Sequence, residues 1–323
     1  MRVLCGLRGL DDPRPLCLAI GVFDGVHLGH QAIVRTAVER ARAYGGTSAV
    51  LTFEPHPDAV LRPERAPLLL TTTEEKLALL RSLGVRLVVL APFDPALAST
   101  PAEAFVRLAL GQDLRARCVI VGQDWRFGAR GTGTPGLLRR MAPEFGFRVS
   151  VVAPVLVGGR RVSSTRIRAL LTKGQVGAAA RCLGRWYEVA GAVVAGEGRG
   201  RRLGFPTANV APPPGKLLPA DGVYACWSGT GRLRPAVASI GVRPTFEEAG
   251  ERRLEVHLLE ARPRASLLGR KLRVRFAARL REERRFGSEQ ELVRQMEGDA
   301  RQARLALALQ PSPDVVSFGC AGA

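Results

Sequence analysis

Between residues 16 and 173 the chain alternates short, nearly continuous apolar runs with stretches of helical spacing. The runs cover residues 16–23, 48–53, 86–93, 117–122 and 148–157. Apolar runs without polar alternation predict strands covered on both faces, and helices between them predict parallel pairing. Start and stop signals frame the helices. Thr100–Pro101–x–Glu103 predicts a capping box with proline at the first helical position, and Thr72 with Glu75 predicts a second box whose helix stops at Gly84. In such a sheet a nucleotide sits outside the carboxyl ends of the strands.

From about residue 186 the rhythm changes. Residues 187–197, 222–227, 235–242, 254–261 and 271–280 are short and partly alternating, separated by Gly- and Pro-rich turns such as Pro212–Pro213–Pro214–Gly215. This pattern predicts an antiparallel β-barrel. Ser288–x–x–Glu291 predicts a closing helix that runs to about Ala308. The expected organisation is therefore α/β plus β, with domains at 1–185 and 186–310 and a tail at 311–323. A chain of 323 residues fits two domains.

Composition narrows the class. Hydrophobic residues make up 46% and charged residues 24%, which suits a globular chain with a core. No apolar run approaches the length of a membrane span, and the N-terminus lacks a signal-peptide pattern, so a cytoplasmic location is expected. Six cysteines include no CxxC pair, which predicts neither a zinc site nor a disulfide framework. The net charge of +19 suggests an anionic partner. Only four of the 48 basic residues are lysines, and the arginines are dispersed except at 199–202 and 279–285. That dispersal, with 6% aromatics, favours codon composition together with a compact anionic ligand over a nucleic acid. Oligomeric state is not legible.

The candidate chemistry begins at Gly21–Val22–Phe23–Asp24–Gly25–Val26–His27–Leu28–Gly29–His30. A strand ends near Phe23, glycines permit a tight turn, and a helix opens at His27 or Leu28. Such a corner binds anions through backbone N–H groups and the helix dipole. Imidazoles at i and i+3 face the same way and can donate to phosphate oxygens. HxxH alone also reads as a weak metal pair or as two solvated histidines. A second helix start, Ser163–Ser164–Thr165–Arg166–Ile167–Arg168, offers hydroxyls and a guanidinium to phosphate, although alone it reads as an N-cap.

Together the HxGH and SSTRIR stretches resemble the nucleotidyltransferases that transfer AMP or CMP onto a phosphate. Thr52–Pro57 and Val121–Gly128 resemble the intervening motifs of the bacterial FAD synthetase module. Gly198–Asn209, Asp221–Tyr224, Gly241–Phe246, Leu254–His257 and Leu280–Glu283 resemble riboflavin kinase. The chain is thus similar, from about residue 16 to 307, to the bifunctional riboflavin kinase/FAD synthetase family. That resemblance implies a Rossmann-like nucleotidyltransferase domain followed by a kinase barrel. The substrates implied are ATP, riboflavin and FMN, with FAD as product and Mg²⁺ as cofactor.

The resemblance also implies roles. His27 and His30 would polarise the ATP phosphates, with Gly21, Phe23, Gly25 and Gly29 around the nucleotide; Asp24 reads equally as a cap of the turn or as a group near nucleotide or metal. Ser164, Thr165 and Arg166 would hold the departing pyrophosphate. His56, Asp124 and Arg126 fall near the flavin or phosphate side; a local ion pair between Asp124 and Arg126 is the plainer reading. In the second domain, Gly198, Arg199 and Gly204 would close over phosphates, and Thr207 and Asn209 would bind Mg²⁺. Glu255 would be the base toward the flavin hydroxyl. On an alternating strand it shares a face with His257, opposite Leu254 and Val256. Arg281 would contact flavin, or else pair with Glu282, Glu283 or Glu297. Ser239 and Leu268 stand where the family usually has Asn and Tyr. Two rival readings remain at this level: a single active domain, or a non-catalytic nucleotide- or RNA-binding protein.

Overall fold

A computed structural model describes residues 1–196, 198–242, 252–260 and 266–310. Expectations that fall on residues 243–246, on the tail 311–323 and on Cys320 lie outside the described residues. Packing divides the chain into two compact units between Ser163 and Ser164.

The first unit is an all-parallel six-stranded sheet in the order β1-β4-β3-β2-β5-β6. Its strands are β1 (Arg2–Cys5), β2 (Leu16–Ile20), β3 (Thr47–Glu54), β4 (Leu87–Pro92), β5 (Ala116–Gly122) and β6 (Arg148–Val152). Both faces are covered, which explains the continuous apolar runs. On β2, Cys17 and Ala19 meet Val34, Ala37 and Ala41 of helix α1 (Leu28–Ala43). After the short α2 (Pro57–Leu61), α3 (Thr73–Ser82) adds Leu80 to that layer. Leu16, Leu18 and Ile20 face the other way. There α4 (Pro95–Ser99), α5 (Ala102–Phe105) with its π-helical continuation Val106–Asp113, and α6 (Pro135–Met141) pack Phe105, Leu110 and Leu138. The strand order reverses at β2, which lies between β3 and β5. A crevice for a ligand opens at the carboxyl end of such a switch strand.

Three expectations need correction here. The sheet has six strands rather than five, because the edge strand β1 is mostly exposed and carries no apolar run to announce it. The run 148–157 is not one strand. It stops at Val152, is broken at Pro154, which lacks an N–H for the ladder, and resumes as a hairpin of β7 (Leu156–Val157) and β8 (Arg160–Arg161). The capping box at Thr100 does not form: α5 has Pro101 as its N-cap, and the Thr100 hydroxyl instead donates back to Ala96 O, closing α4. At Thr72 both halves of the box are present, and Gly84 follows that helix with φ of 88°.

The second unit begins with α7 (Ser164–Leu171) and α8 (Val176–Leu183). A closed antiparallel barrel follows in the order β10-β13-β12-β11-β14-β9. The strands are β9 (Tyr187–Val194), β10 (Ala208–Ala211), β11 (Gly222–Gly229), β12 (Arg234–Val242), β13 (Arg252–Leu258) and β14 (Lys271–Arg281), with a helical turn α9 (Arg199–Arg202) before β10. Four-residue β10, too short for a visible apolar run, completes the closure. Val189, Val193, Leu254, Val256, Leu272, Val274 and Phe276 are buried at alternating positions and fill the barrel. Outside it, α10 (Glu289–Ala308) brings Ala303 and Leu307 against Trp186, Trp227 and Ala277. Ser288 caps α10 by accepting from Glu291 N, while the Glu291 carboxylate accepts from Gly287 N.

Candidate functional site

In the first unit the candidate residues gather where β2 gives way to α1. The turn holds Phe23 and Val26 at φ of 54° and 37°, backbone angles that non-glycine residues rarely adopt. Strain of this kind persists only where surroundings over-determine it. Here the Asp24 carboxylate accepts from Leu70 N and Thr71 N, Thr71 Oγ1 accepts from Gly25 N, and Thr52 Oγ1 donates to Val22 O. Phe23 and Val26 are fully buried beneath the turn. Asp24 therefore anchors the loop to the segment before α3.

His27 is the N-cap of α1. Its Nδ1 accepts from His30 N at 3.2 Å, which leaves Nε2 as the donor of a neutral ring. The two imidazoles stack with centroids 3.6 Å apart at 16°, and His30 meets the Phe23 ring edge-on. A Cβ at Gly29 would lie 3.2 Å from the His27 ring, so glycine there leaves room for the stack. His56 is the N-cap of α2, accepting from Asp58 N. It lines a small recess with Asp24, Glu54, Thr71 and Lys76. Lys76 was not singled out from sequence, although its i+4 spacing to buried Leu80 placed it on the inward face of α3. Its ammonium is buried, within 3.3 Å of Thr52 Oγ1 and 3.4 Å of Phe53 O, and burial lowers its pKa against the pull of Glu54 and Asp24.

Asp124 pairs with Arg161 of β8 rather than with Arg126, whose guanidinium donates to Trp125 O. The hairpin β7–β8, unseen in the sequence, supplies that partner. Ser164, Thr165 and Arg166 form the first turn of α7, whose Ile167 and Leu171 are buried.

In the second unit a cleft of about 640 Å³ lies over the outer face of the barrel. Because Leu254 and Val256 point inward, Glu255 and His257 point out into it. Glu255 is directly opposite Asn209 on β10 and Ser239 on β12. Thr207 Oγ1 donates to Glu255 Oε2 at 3.4 Å. His257 Nδ1 lies 2.9 Å from Pro206 O, and its ring packs on Phe205, which fixes the residue before Thr207. Gly198 and Gly200 roof this end of the cleft. A Cβ at Gly200 would collide with Phe205 O, so the loop can fold back only with glycine there. Gly204 turns the chain at φ of 85°, and the Arg199 side chain lies outside the described residues.

The other end of the cleft is formed after β14 and by α10. The guanidiniums of Arg281 and Arg284 lie over the Phe286 ring at 5.7 and 4.8 Å, and Leu292 and Met296 line the same cleft. Arg281 also lines the cleft, but its guanidinium is held by Asp299 at 2.8 Å. Its carboxylate partner is thus not Glu282, Glu283 or Glu297, because α10 brings Asp299 under the strand end. Glu283, which the sequence offered only as a possible partner of Arg281, also lines the cleft.

Among the described residues no three His, Cys, Asp or Glu side chains cluster as a metal site, and no helix is long and apolar enough to cross a membrane. Residues 10–166 match the family described as FAD synthetase, and residues 183–307 match riboflavin kinase. The bifunctional riboflavin kinase/FMN adenylyltransferase of Escherichia coli (strain K12) is 38% identical, over 94% of this chain and 97% of its own. That of Bacillus subtilis (strain 168) is 33% identical over 88% and 90%. A solved structure described as a macrolide-efflux protein from Streptococcus pneumoniae superposes with a TM-score of 0.86 at 30% identity, covering 94% of this chain and 99% of that one. With both halves matched in order and nearly full-length relatives of the same two-part description, this chain belongs to the bifunctional riboflavin kinase/FMN adenylyltransferase family.

Proposed function

We propose that the barrel unit phosphorylates riboflavin to FMN with ATP, and that the sheet unit transfers AMP from a second ATP onto FMN. The products are FAD and pyrophosphate. The observation that carries this reading is the placement of Glu255: a carboxylate on a rigid barrel strand, facing a cleft beside two neutral oxygen donors.

Phosphorylating an alcohol requires removal of its proton. Glu255 takes that proton as the flavin's terminal oxygen attacks the γ-phosphorus and ADP departs. Thr207 and Asn209 offer hard, neutral oxygens next to Glu255, a donor set that suits Mg²⁺ when phosphate oxygens and water complete its shell. Bound there, the ion would neutralise phosphate charge. Gly198, Gly200 and Gly204, with Arg199, provide the covering loop.

AMP transfer has no such need, since the FMN phosphate is already an anion. Its oxygen attacks the α-phosphorus, the bond to the bridging oxygen breaks, and pyrophosphate leaves. His27 and His30 donate to the charge that develops, on a turn that Gly21, Phe23, Gly25 and Gly29 shape and Asp24 anchors. Ser164, Thr165 and Arg166 receive the leaving phosphates. His56 and Arg126 are assigned to the FMN side, with Asp124 ordering the loop through Arg161. Arg281 forms the wall behind the flavin ring of the kinase cleft, held by Asp299. We assign 1–185 to adenylyl transfer and 186–310 to the kinase. Small-molecule substrates and a cytoplasmic location complete the reading.

Purified protein incubated with riboflavin, ATP and Mg²⁺, followed by chromatography of the flavins, tests this directly. FMN and then FAD are expected. Unchanged riboflavin, with added FMN also unchanged, would overturn the assignment.

A further inference from the structure

We propose that Glu283 is a specificity-determining residue of the kinase cleft, accepting hydrogen bonds from the interior hydroxyls of the flavin's ribityl chain. The inference rests on the kinase reading above and adds to it a residue for the part of the substrate between ring and reacting hydroxyl.

One group of residues lining the cleft is Glu255 with Thr207, and another is Phe286 with Leu292 and Met296, beside the guanidiniums of Arg281 and Arg284. A substrate that offers a terminal alcohol to Glu255 and a flat heteroaromatic ring to Phe286 must lay its polyol between them. Glu283 lines this cleft. Its carboxylate accepts from Ser239 Oγ at 3.4 Å, and Ser239 is the register partner of Glu255. It also lies against Gly241, two residues further along β12, where a Cβ would collide with it. The carboxylate thus touches β12 both beside the register partner of Glu255 and at Gly241, and it stands three residues before Phe286 in the chain.

Among the described residues Ser239 Oγ is the hydrogen-bond donor within reach of Glu283. Partial burial, then the charges of Asp221 and Glu255, push its carboxyl above the ordinary value, although Ser239 and Arg281 pull it back. A carboxylate so placed gains from hydroxyl donors, and a row of secondary alcohols supplies them. An alkyl chain does not. Rejecting a substrate that lacks the hydroxyls is the discrimination a site of buried or half-buried acceptors achieves best.

The test compares two substrates at saturating ATP and Mg²⁺: riboflavin, and a flavin whose side chain is 5-hydroxypentyl, which keeps the terminal alcohol and loses the interior ones. Glu283→Gln is expected to raise KM for riboflavin about tenfold, the scale of one charge-assisted hydrogen bond, with kcat within about twofold. KM for the hydroxypentyl flavin should be unchanged. Ser239→Ala, which removes the hydroxyl that orients the carboxylate, should give a smaller rise with the same selectivity, and it decides the matter if Glu283→Gln does not fold. An equal loss on both substrates would overturn the proposal in favour of a structural role. A fall in kcat at constant KM would overturn it in favour of a second base. Failure of the kinase reading itself would show separately, as absence of FMN from the wild-type protein.

Discussion

Under the proposed function, the two units handle phosphate with different parts of the fold. In the sheet unit the candidate groups sit on a strained turn at the carboxyl end of β2, and the imidazoles belong to the first turn of a helix. In the barrel unit they project from strands whose other face is the core. The difference follows the chemistry. A nucleophile that arrives as an anion needs donors, which a helix N-terminus supplies. An alcohol needs a base at a fixed distance, and a carboxylate held by a closed ladder of strands moves little. The turn gains its rigidity otherwise, through Asp24, Thr71 and Thr52.

The largest expected effect separates the two units outright. Glu255→Gln should lower FMN formation by about 10²–10⁴, the usual contribution of a general base, while added FMN is still converted to FAD. Comparable FMN production by the variant would remove Glu255 from the mechanism. The reciprocal change, His27→Ala with His30→Ala, should lower adenylylation by about 10²–10³ and make FMN accumulate from riboflavin. FAD appearing at the wild-type rate would refute the imidazole roles.

Smaller effects test what holds each site. Asp24→Ala leaves Leu70 N and Thr71 N without their acceptor, at a cost of about 1–3 kcal/mol, readable as a lowered Tm together with weakened adenylylation. A loss of activity at unchanged Tm would instead mean that Asp24 touches substrate. On the barrel, burial alone would raise the Glu188 carboxyl, but hydrogen bonds and charges from Arg273 and Arg275 outweigh it and hold the pKa below the ordinary value. A depressed folded-state pKa contributes stability that is complete above the unfolded value of about 4.3 and is lost as pH falls through the folded one. Glu188→Gln should therefore flatten the acid limb of barrel stability below about pH 4, measured by denaturant unfolding across pH. An unaltered limb would show that other carboxylates set it.

Both architectures could be read from the chain because burial leaves different marks. Strands β2 to β5 are covered on both faces and appear as unbroken apolar runs. Barrel strands such as β9, β13 and β14 alternate over much of their length, whereas β11 is buried at every residue. What escaped was short or exposed: β1, whose residues are mostly in solvent, and β10, four residues long. The motif residues were legible for the same reason that a helix start could be placed at His27 or Leu28, since their spacing is local. Partnerships were not. Arg281 found Asp299 across 18 residues, Asp124 found Arg161, and Glu283 reached Ser239 across 44.

Local order along the chain determined the two periodicities, the helix starts at Leu28 and Glu289, and the outward direction of Glu255. These depend on neighbours within a few residues, whose geometry φ and ψ already constrain. Only the closed barrel and the stacked sheet decided which charges meet, because a strand register or a helix crossing brings together atoms that sequence distance says nothing about.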